Sequence, residues 1–295
     1  MKSQVRNLVG PLLRRLPGVL ATVAVTTVGF AAGDALAAPN RSAATIAGHS
    51  GRGVMDYDWT WRLAPGKTIE VEGVNGAIRA TGSPGRDVVV HAHKHARRSD
   101  PDQVTVEVIE HAEGITLCVR YPDTWGSRPN TCAPGGHSHM STHDNDVNVD
   151  FDLRVPAGVR LAARTVNGEV EAHDLDADAE AHTVNGSVTL ETRGRGEAGT
   201  VNGSVRARLG AMGLRGPLDF STVNGSITLE LPEDANAEVT AKNVNGGIET
   251  DFPITIRREG FMGGHRMHGT IGRGGPQLEL STVNGSIHLR RVRSL

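Results

Sequence analysis

Three histidines, His91, His93 and His95, alternate along the stretch DVVVHAHKH. Three more, His137, His139 and His143, crowd the stretch HSHMSTHD, with Asp144 beside the last of them. Imidazoles at such spacing are suited to zinc, copper or nickel. On a strand, however, residues i and i+2 share a face roughly 6–7 Å apart. The first trio therefore needs the second segment to fold over it before a site can close. The plainer reading, a solvated polar face beside a polar loop, is preferred, and no cofactor is expected.

A second candidate is DNDVNVDFD at 144–152, where Asp144, Asp146, Asn148 and Asp150 copy the opening of a calcium loop. The match then fails: Val149 stands where that loop needs glycine, and Val155 where it needs glutamate. Val147, Val149, Phe151 and Leu153 alternate with the acids, so the segment reads as a strand with an outward acidic row. A third candidate is the 251–277 insertion, where Arg257, Arg258, Arg266 and Arg273 accompany His265 and His268. It is the best sequence candidate for an anionic-ligand loop, against a solvated loop covering the C-terminal end. Enzyme signatures are absent: there is no G-x-S-x-G, H-E-x-x-H or P-loop. A polysaccharide-active stack of coils would gather Asp with Arg or Lys on one outer face, and the outward residues show no such gathering in the sequence. No catalytic residue is assigned.

The elements that must position these side chains are written in one repeated phrase. TVNGSI stands at 222–227 and 282–287, TVNGSV at 183–188 and 200–205, and TVNGEV at 165–170. Looser copies are VNGAI at 74–78 and NVNGGI at 243–248. The gaps between successive asparagines are 92, 18, 17, 22, 21 and 39, which points to a period near twenty, with the last gap about twice that. Apolar residues recur five and three positions before each Val and four after it, the last set being Ile78, Val170, Val188, Val205, Ile227, Ile248 and Ile287. That is period-2 alternation on both sides of the phrase, and it means half-buried strands.

Each Val is expected inside, with Asn-Gly turning the corner because both residues tolerate positive φ. The expected corners are Asn75 and Gly76, Asn167 and Gly168, Asn185 and Gly186, Asn202 and Gly203, Asn224 and Gly225, Asn245 and Gly246, and Asn284 and Gly285. A hairpin meander with type I′ turns is the competing arrangement. A period near twenty favours an all-β solenoid. The 92-residue gap carries further strands, in DVVVHAHKH, QVTVEVIEH, GITLCVRY and VNVDFDLRV, and YDWTW at 57–61 presents an aromatic face to cap the open end of the stack.

The chain opens with Lys2, Arg6, Arg14 and Arg15, the apolar run VLATVAVTTVGFAA at 19–32, and ALA at 35–37. This is the pattern of a cleaved secretory signal, short for a membrane span, with an uncleaved anchor as the alternative. Removing residues 1–37 takes away four basic residues and one acidic residue, moving the formal net charge from −2 to −5. Such a surface excludes nucleic acid as the natural partner. Residues 38–53 read as a flexible linker. Cys118 and Cys132, the only cysteines, are expected to pair in an exported protein; two free thiols or a metal pair are the alternatives, and no further cysteine exists to complete a metal site.

The VNG phrases combine with the segment LCVRYP at 117–122 ahead of the second cysteine, PAGV at 156–159 and GTIGRGG at 269–275. With these, residues 54–295 resemble a family of exported bacterial proteins known as "putative adhesins". The resemblance implies a right-handed β-solenoid, β-helix-like and built of ~20-residue repeats, outside the cytoplasmic membrane, and it brings no catalytic residues. The expected organisation is a signal peptide at 1–37, a linker at 38–53, a β-rich N-terminal part at 54–155 with the first repeat and its insert, and a VNG-repeat solenoid at 156–295. The expected function is adhesin-like surface binding or an envelope structural role, non-enzymatic, with an unidentified surface or envelope ligand. The alternatives are a polysaccharide-active β-helix enzyme and an extracytoplasmic metal-binding protein.

Overall fold

The computed structural model describes residues 45–49, 54–123, 128–210, 217–254 and 265–292, all within one compact unit spanning Pro39–Leu295. The expected signal peptide, and Arg257 and Arg258 of the C-terminal insertion, lie outside the described residues. Among the described residues there is no α-helix, and a single 3₁₀ turn, Pro101–Gln103, interrupts a succession of strands.

The strands form two sheets. In the first, a parallel run proceeds through Asn148–Pro156, Ile78–Ser83, Val170–Leu175, Val188–Thr192, Val205–Leu209, Ile227–Pro232, Ile287–Val292 and Ile248–Thr250. The second matches it with Gly114–Arg120, Thr68–Glu72, Arg160–Arg164, Ala179–His182, Gly196–Gly199, Leu218–Ser221, Gln277–Asn284 and Ala237–Asn245. Each VNG phrase carries the chain from the second sheet to the first. Antiparallel strands complete the ends: Val88–His95 and Val54–Trp61 on the first sheet, Thr105–His111 and His265–Ile271 on the second. The four strands expected in the 92-residue gap are all present. Tyr57, Trp59 and Trp61 stack in a row, with Trp59 buried against the core.

The spatial order departs from the chain order at two places. The strands around Asn75 lie between those of 114–156 and those around Asn167. The strands around Asn284 lie between those around Asn224 and Asn245. The gap of 39 is therefore not a coil that has lost its phrase. The chain passes its neighbour's slot, adds the antiparallel strand His265–Ile271, and returns to fill the slot.

The core lies between the sheets and is built from the alternating positions read in the sequence. Ile69, Val71, Leu161, Leu218 and Phe220 enter it from one sheet, and Ile78, Val170, Leu190, Ile227 and Leu229 from the other. The phrase itself contains a correction. In six of the seven copies its Val does not enter the core: Val166, Val244 and Val283 are exposed and Val184, Val201 and Val223 are half-buried, while Val74, which follows Gly73 instead of a Thr, is buried as expected. The buried residue is the Thr before it, at Thr165, Thr183, Thr200, Thr222 and Thr282. Its hydroxyl donates to the carbonyl of the adjoining coil's Gly, as from Thr183 to Gly168 (2.8 Å) and Thr222 to Gly203 (2.8 Å). Alternation thus runs unbroken from five before the Val to one before it, and no parity shift is needed there.

Candidate functional site on the outer face of the second sheet

Two features dominate the surface: the VNG edge and the charged outer face of the second sheet. Along the edge the asparagines form a ladder. Asn167 Nδ2 donates to Asn75 Oδ1 (2.8 Å), and Asn185, Asn202, Asn224, Asn284 and Asn245 each donate in turn to the one before, at 2.7–2.8 Å. None of them has positive φ; among described non-glycine residues only Asp144 and Asp174 do. The expectation of a corner turned by positive-φ asparagine is therefore corrected. For most of the glycines the reason also differs: a Cβ on Gly186, Gly203 or Gly225 would lie 2.0 Å from the stacked carbonyl oxygen of the adjoining coil. The backbones are too close for any side chain.

On the second sheet, Thr68–Glu72 turns Ile69 and Val71 into the core and Glu70 and Glu72 outward. The outward pair is nevertheless buried, because the segment after Cys132 folds across it. Cys118 lies beside Glu72 in register and is bonded to Cys132, with Cα atoms 5.8 Å apart. Gly135 and Gly136, at φ 77° and 73°, donate successive amides to Glu70 Oε2 (2.8 Å) and Oε1 (2.9 Å). Paired amides in this conformation form a concavity for an anion, and here Glu70 fills it. Thr116 Oγ1 (2.8 Å) and Arg164 Nη1 (2.7 Å) also donate to Glu70. Asn130 anchors the segment through Tyr121 O and Ser141 O, both at 2.9 Å.

Two neighbouring carboxyls are thereby driven apart. Burial pushes Glu70 up, but the donors from Gly135, Thr116 and Arg164 outweigh it and hold the group below the usual carboxylate range. Glu72 goes the other way: desolvation pushes it up, the adjacent Glu70 adds to this, and its Oε1 has no partner.

The face continues as a column of acids in register. Ala162 stands between Glu70 and Glu180, and Arg164 bridges the gap by donating to Glu180 as well (2.9 Å). Glu180 adjoins Glu197, and Asp219 adjoins Glu279. Desolvation and the neighbouring acids raise both Glu197 and Asp219. Arg195 pairs with Glu197 and Lys242 with Glu279. Burial, with Arg164 beside it, holds His182 down to about 4. Acids and arginines from successive strands therefore do converge on one outer face. Sequence alternation marks these residues only as outward and cannot say which become neighbours.

The first sheet carries the histidines. His91 Nδ1 meets Asp58 (2.7 Å) and His93 Nδ1 meets Asp56 (2.6 Å), and the expected acidic row supplies Asp150 beside His95 (3.7 Å). His139, by contrast, bridges Thr131 in the segment that crosses the second sheet, and His143 pairs with Asp144 (3.1 Å). No hydrogen bond or ion pair joins the two histidine segments among the described residues. Among the described residues no group of three His, Cys, Asp or Glu is placed to hold a metal ion.

A two-sheet stack of parallel strands joined by VNG edges defines the class of the molecule. Residues 138–290 match the family described as Toastrack DUF4097, and the chain belongs to it. A comparison with curated proteins finds no match. Among solved structures, the chain is similar to a "putative cell adhesion protein" from Clostridium sporogenes ATCC 15579, with TM-score 0.41 and 11% identity, covering 80% of this chain and 100% of that one. It is also similar to a "putative adhesin" from Bacteroides fragilis NCTC 9343, with TM-score 0.25 and 10% identity, covering 80% and 97%. A third, a "putative adhesin" from Parabacteroides merdae ATCC 43184, has TM-score 0.23 and 10% identity, covering 81% and 96%.

Proposed function

We propose that the protein is exported and acts outside the cytoplasmic membrane as a rigid, non-enzymatic stack. Its role is adhesin-like binding of a surface or envelope ligand. Residues 1–37 direct export, 38–53 tether, 54–155 close one end, and 156–295 form the body, a right-handed solenoid of ~20-residue repeats. The VNG phrases are the seams of that body, with Asn and Gly at the structural corners.

The observation that carries the reading is the state of the carboxylates on the most elaborate face. Glu70 is saturated by four donors beneath a disulfide-tied segment, while Glu180, Glu197 and Glu279 are held in ion pairs. A general acid or base must be free to exchange a proton with substrate, and these four carboxylates are already engaged by donors of the protein itself. A disulfide of this kind also persists in oxidising compartments outside the cytoplasm. The convergence of acids and arginines on one face favours the polysaccharide-active alternative, which predicts release of reducing ends from an acidic polysaccharide.

Fractionation with mass spectrometry tests the proposal. The extracytoplasmic protein is expected to begin at Ala38, within a residue or two, and to liberate no reducing ends. Recovery only in the cytoplasm with residues 1–37 intact would overturn it.

A further inference from the structure

One half-buried cation on the charged face has no side-chain partner among the described residues. Arg160 is half-buried, and its backbone amide donates to Lys67 O (2.8 Å). Its guanidinium has neither an ion pair nor a hydrogen bond among the described residues, and its Nε is covered without a partner. The other half-buried arginines of this face have partners: Arg164 has Glu70 and Glu180, and Arg195 has Glu197 and Pro217 O, although its Nε is covered without a partner too; Arg266 is unpaired among the described residues but exposed. A desolvated guanidinium N–H without an acceptor is costly, so the group is set to receive an anion.

The surroundings define which anion. Arg160 lines a half-open hollow with Thr68, Ala162, Asp178, Glu180 and Glu197. The floor exists because Ala162 is the one small side chain between Glu70 and Glu180 in the acidic column. Asp178 already accepts the Arg195 amide (2.9 Å). A free phosphate would bring two charges against three carboxylates and gain a single unpaired guanidinium, since Arg195, which also lines the hollow, is already held by Glu197 and Pro217 O. A ligand with one carboxylate and several hydroxyls fits better: the carboxylate takes the forked N–H groups of Arg160. Its hydroxyls donate to Glu180 and Glu197 or to the Thr68 hydroxyl. The hollow is half open, and one residue of a polymer lying across the strands would enter it.

We propose that this hollow binds a uronate residue of an acidic polysaccharide, with Arg160 as the anchor. This rests on the surface-binding reading above and names its ligand class. The test is calorimetric titration of the purified exported protein with a hexamer of galacturonate, a neutral galactose oligomer of equal length, and inorganic phosphate. The uronate oligomer is expected to bind, the neutral oligomer not to, and phosphate to compete poorly. Arg160→Met, which keeps the aliphatic stem, should weaken uronate binding by about tenfold or more with no change in melting temperature, since the guanidinium holds nothing else. Equal binding of the neutral oligomer, phosphate competing as well as uronate, no uronate binding, or an unaltered Arg160→Met titration would each overturn the proposal. Those outcomes would leave the extracytoplasmic location intact, and the location is decided separately by fractionation.

Discussion

Gly225→Ala isolates the reason for the glycine in the VNG phrase. Gly225 does not have positive φ, so an argument from backbone strain predicts almost no effect. The stacking geometry predicts a large one. The new Cβ would lie 2.0 Å from Gly203 O and 2.5 Å from Gly203 C, and both are backbone atoms that no rotamer change can clear. Bringing the contact to about 3 Å or more requires the two coils to part locally by about 1 Å. The hydrogen bonds across that junction include Thr222 Oγ1 to Gly203 O (2.8 Å), Gly203 N to Asn224 O (3.0 Å), and Asn224 Nδ2 to Asn202 Oδ1 (2.8 Å). Stretched by an ångström, such bonds lose most of their strength. Two of them at about 1 kcal/mol each, with overpacking of about 1–3 kcal/mol, give an expected loss of about 3–5 kcal/mol. Urea denaturation followed by circular dichroism measures it, and Val223→Asp serves as the control. Val223 is half-buried on the outside of the edge, so its loss should stay below about 1 kcal/mol. A Gly225→Ala loss under about 1 kcal/mol, or a Val223→Asp variant that fails to fold, would refute the stacking argument.

Two further predictions concern the charged face. His182 is held down to about 4, whereas an ordinary imidazole titrates near about 6.5. The stability this group contributes is therefore fully present above about pH 6.5 and lost as pH falls toward about 4, amounting to about 3 kcal/mol. His182→Gln should remove that part of the pH dependence in urea midpoints taken at intervals across this window, and an unaltered profile would count against it. Replacing both Cys118 and Cys132 by alanine opens a loop of sequence separation 14 and should cost about 3 kcal/mol by the chain-entropy argument. The same midpoint measurement checks it, and a loss under about 1 kcal/mol would show that the hydrogen bonds of Asn130, Gly135 and Gly136 hold the segment without the disulfide.

The alternation around each phrase determined by itself that strands flank it and which side chains enter the core. Leu161, Leu218, Val170 and Ile227 lie where their spacing puts them, since a strand has only two faces. The cysteine pair was legible for a similar reason: a chain with two cysteines has one internal pairing to make. Whether Val or Thr of the phrase turns inward was not legible. The two side chains have nearly the same shape, and the choice depends on a hydroxyl partner, the adjoining coil's Gly carbonyl, which is 14 to 57 residues away in the chain for Thr200 and Thr282. The placement of the Asn284 strands between those of Asn224 and Asn245 was also beyond the pattern, because seven similar edges can stack in many orders with the same local contacts. The charged face was decided the same way. Arg160, Glu180 and Glu197 are each only an outward residue on a separate strand, and parallel pairing, which is non-local, makes them neighbours about 4.8 Å apart from strand to strand.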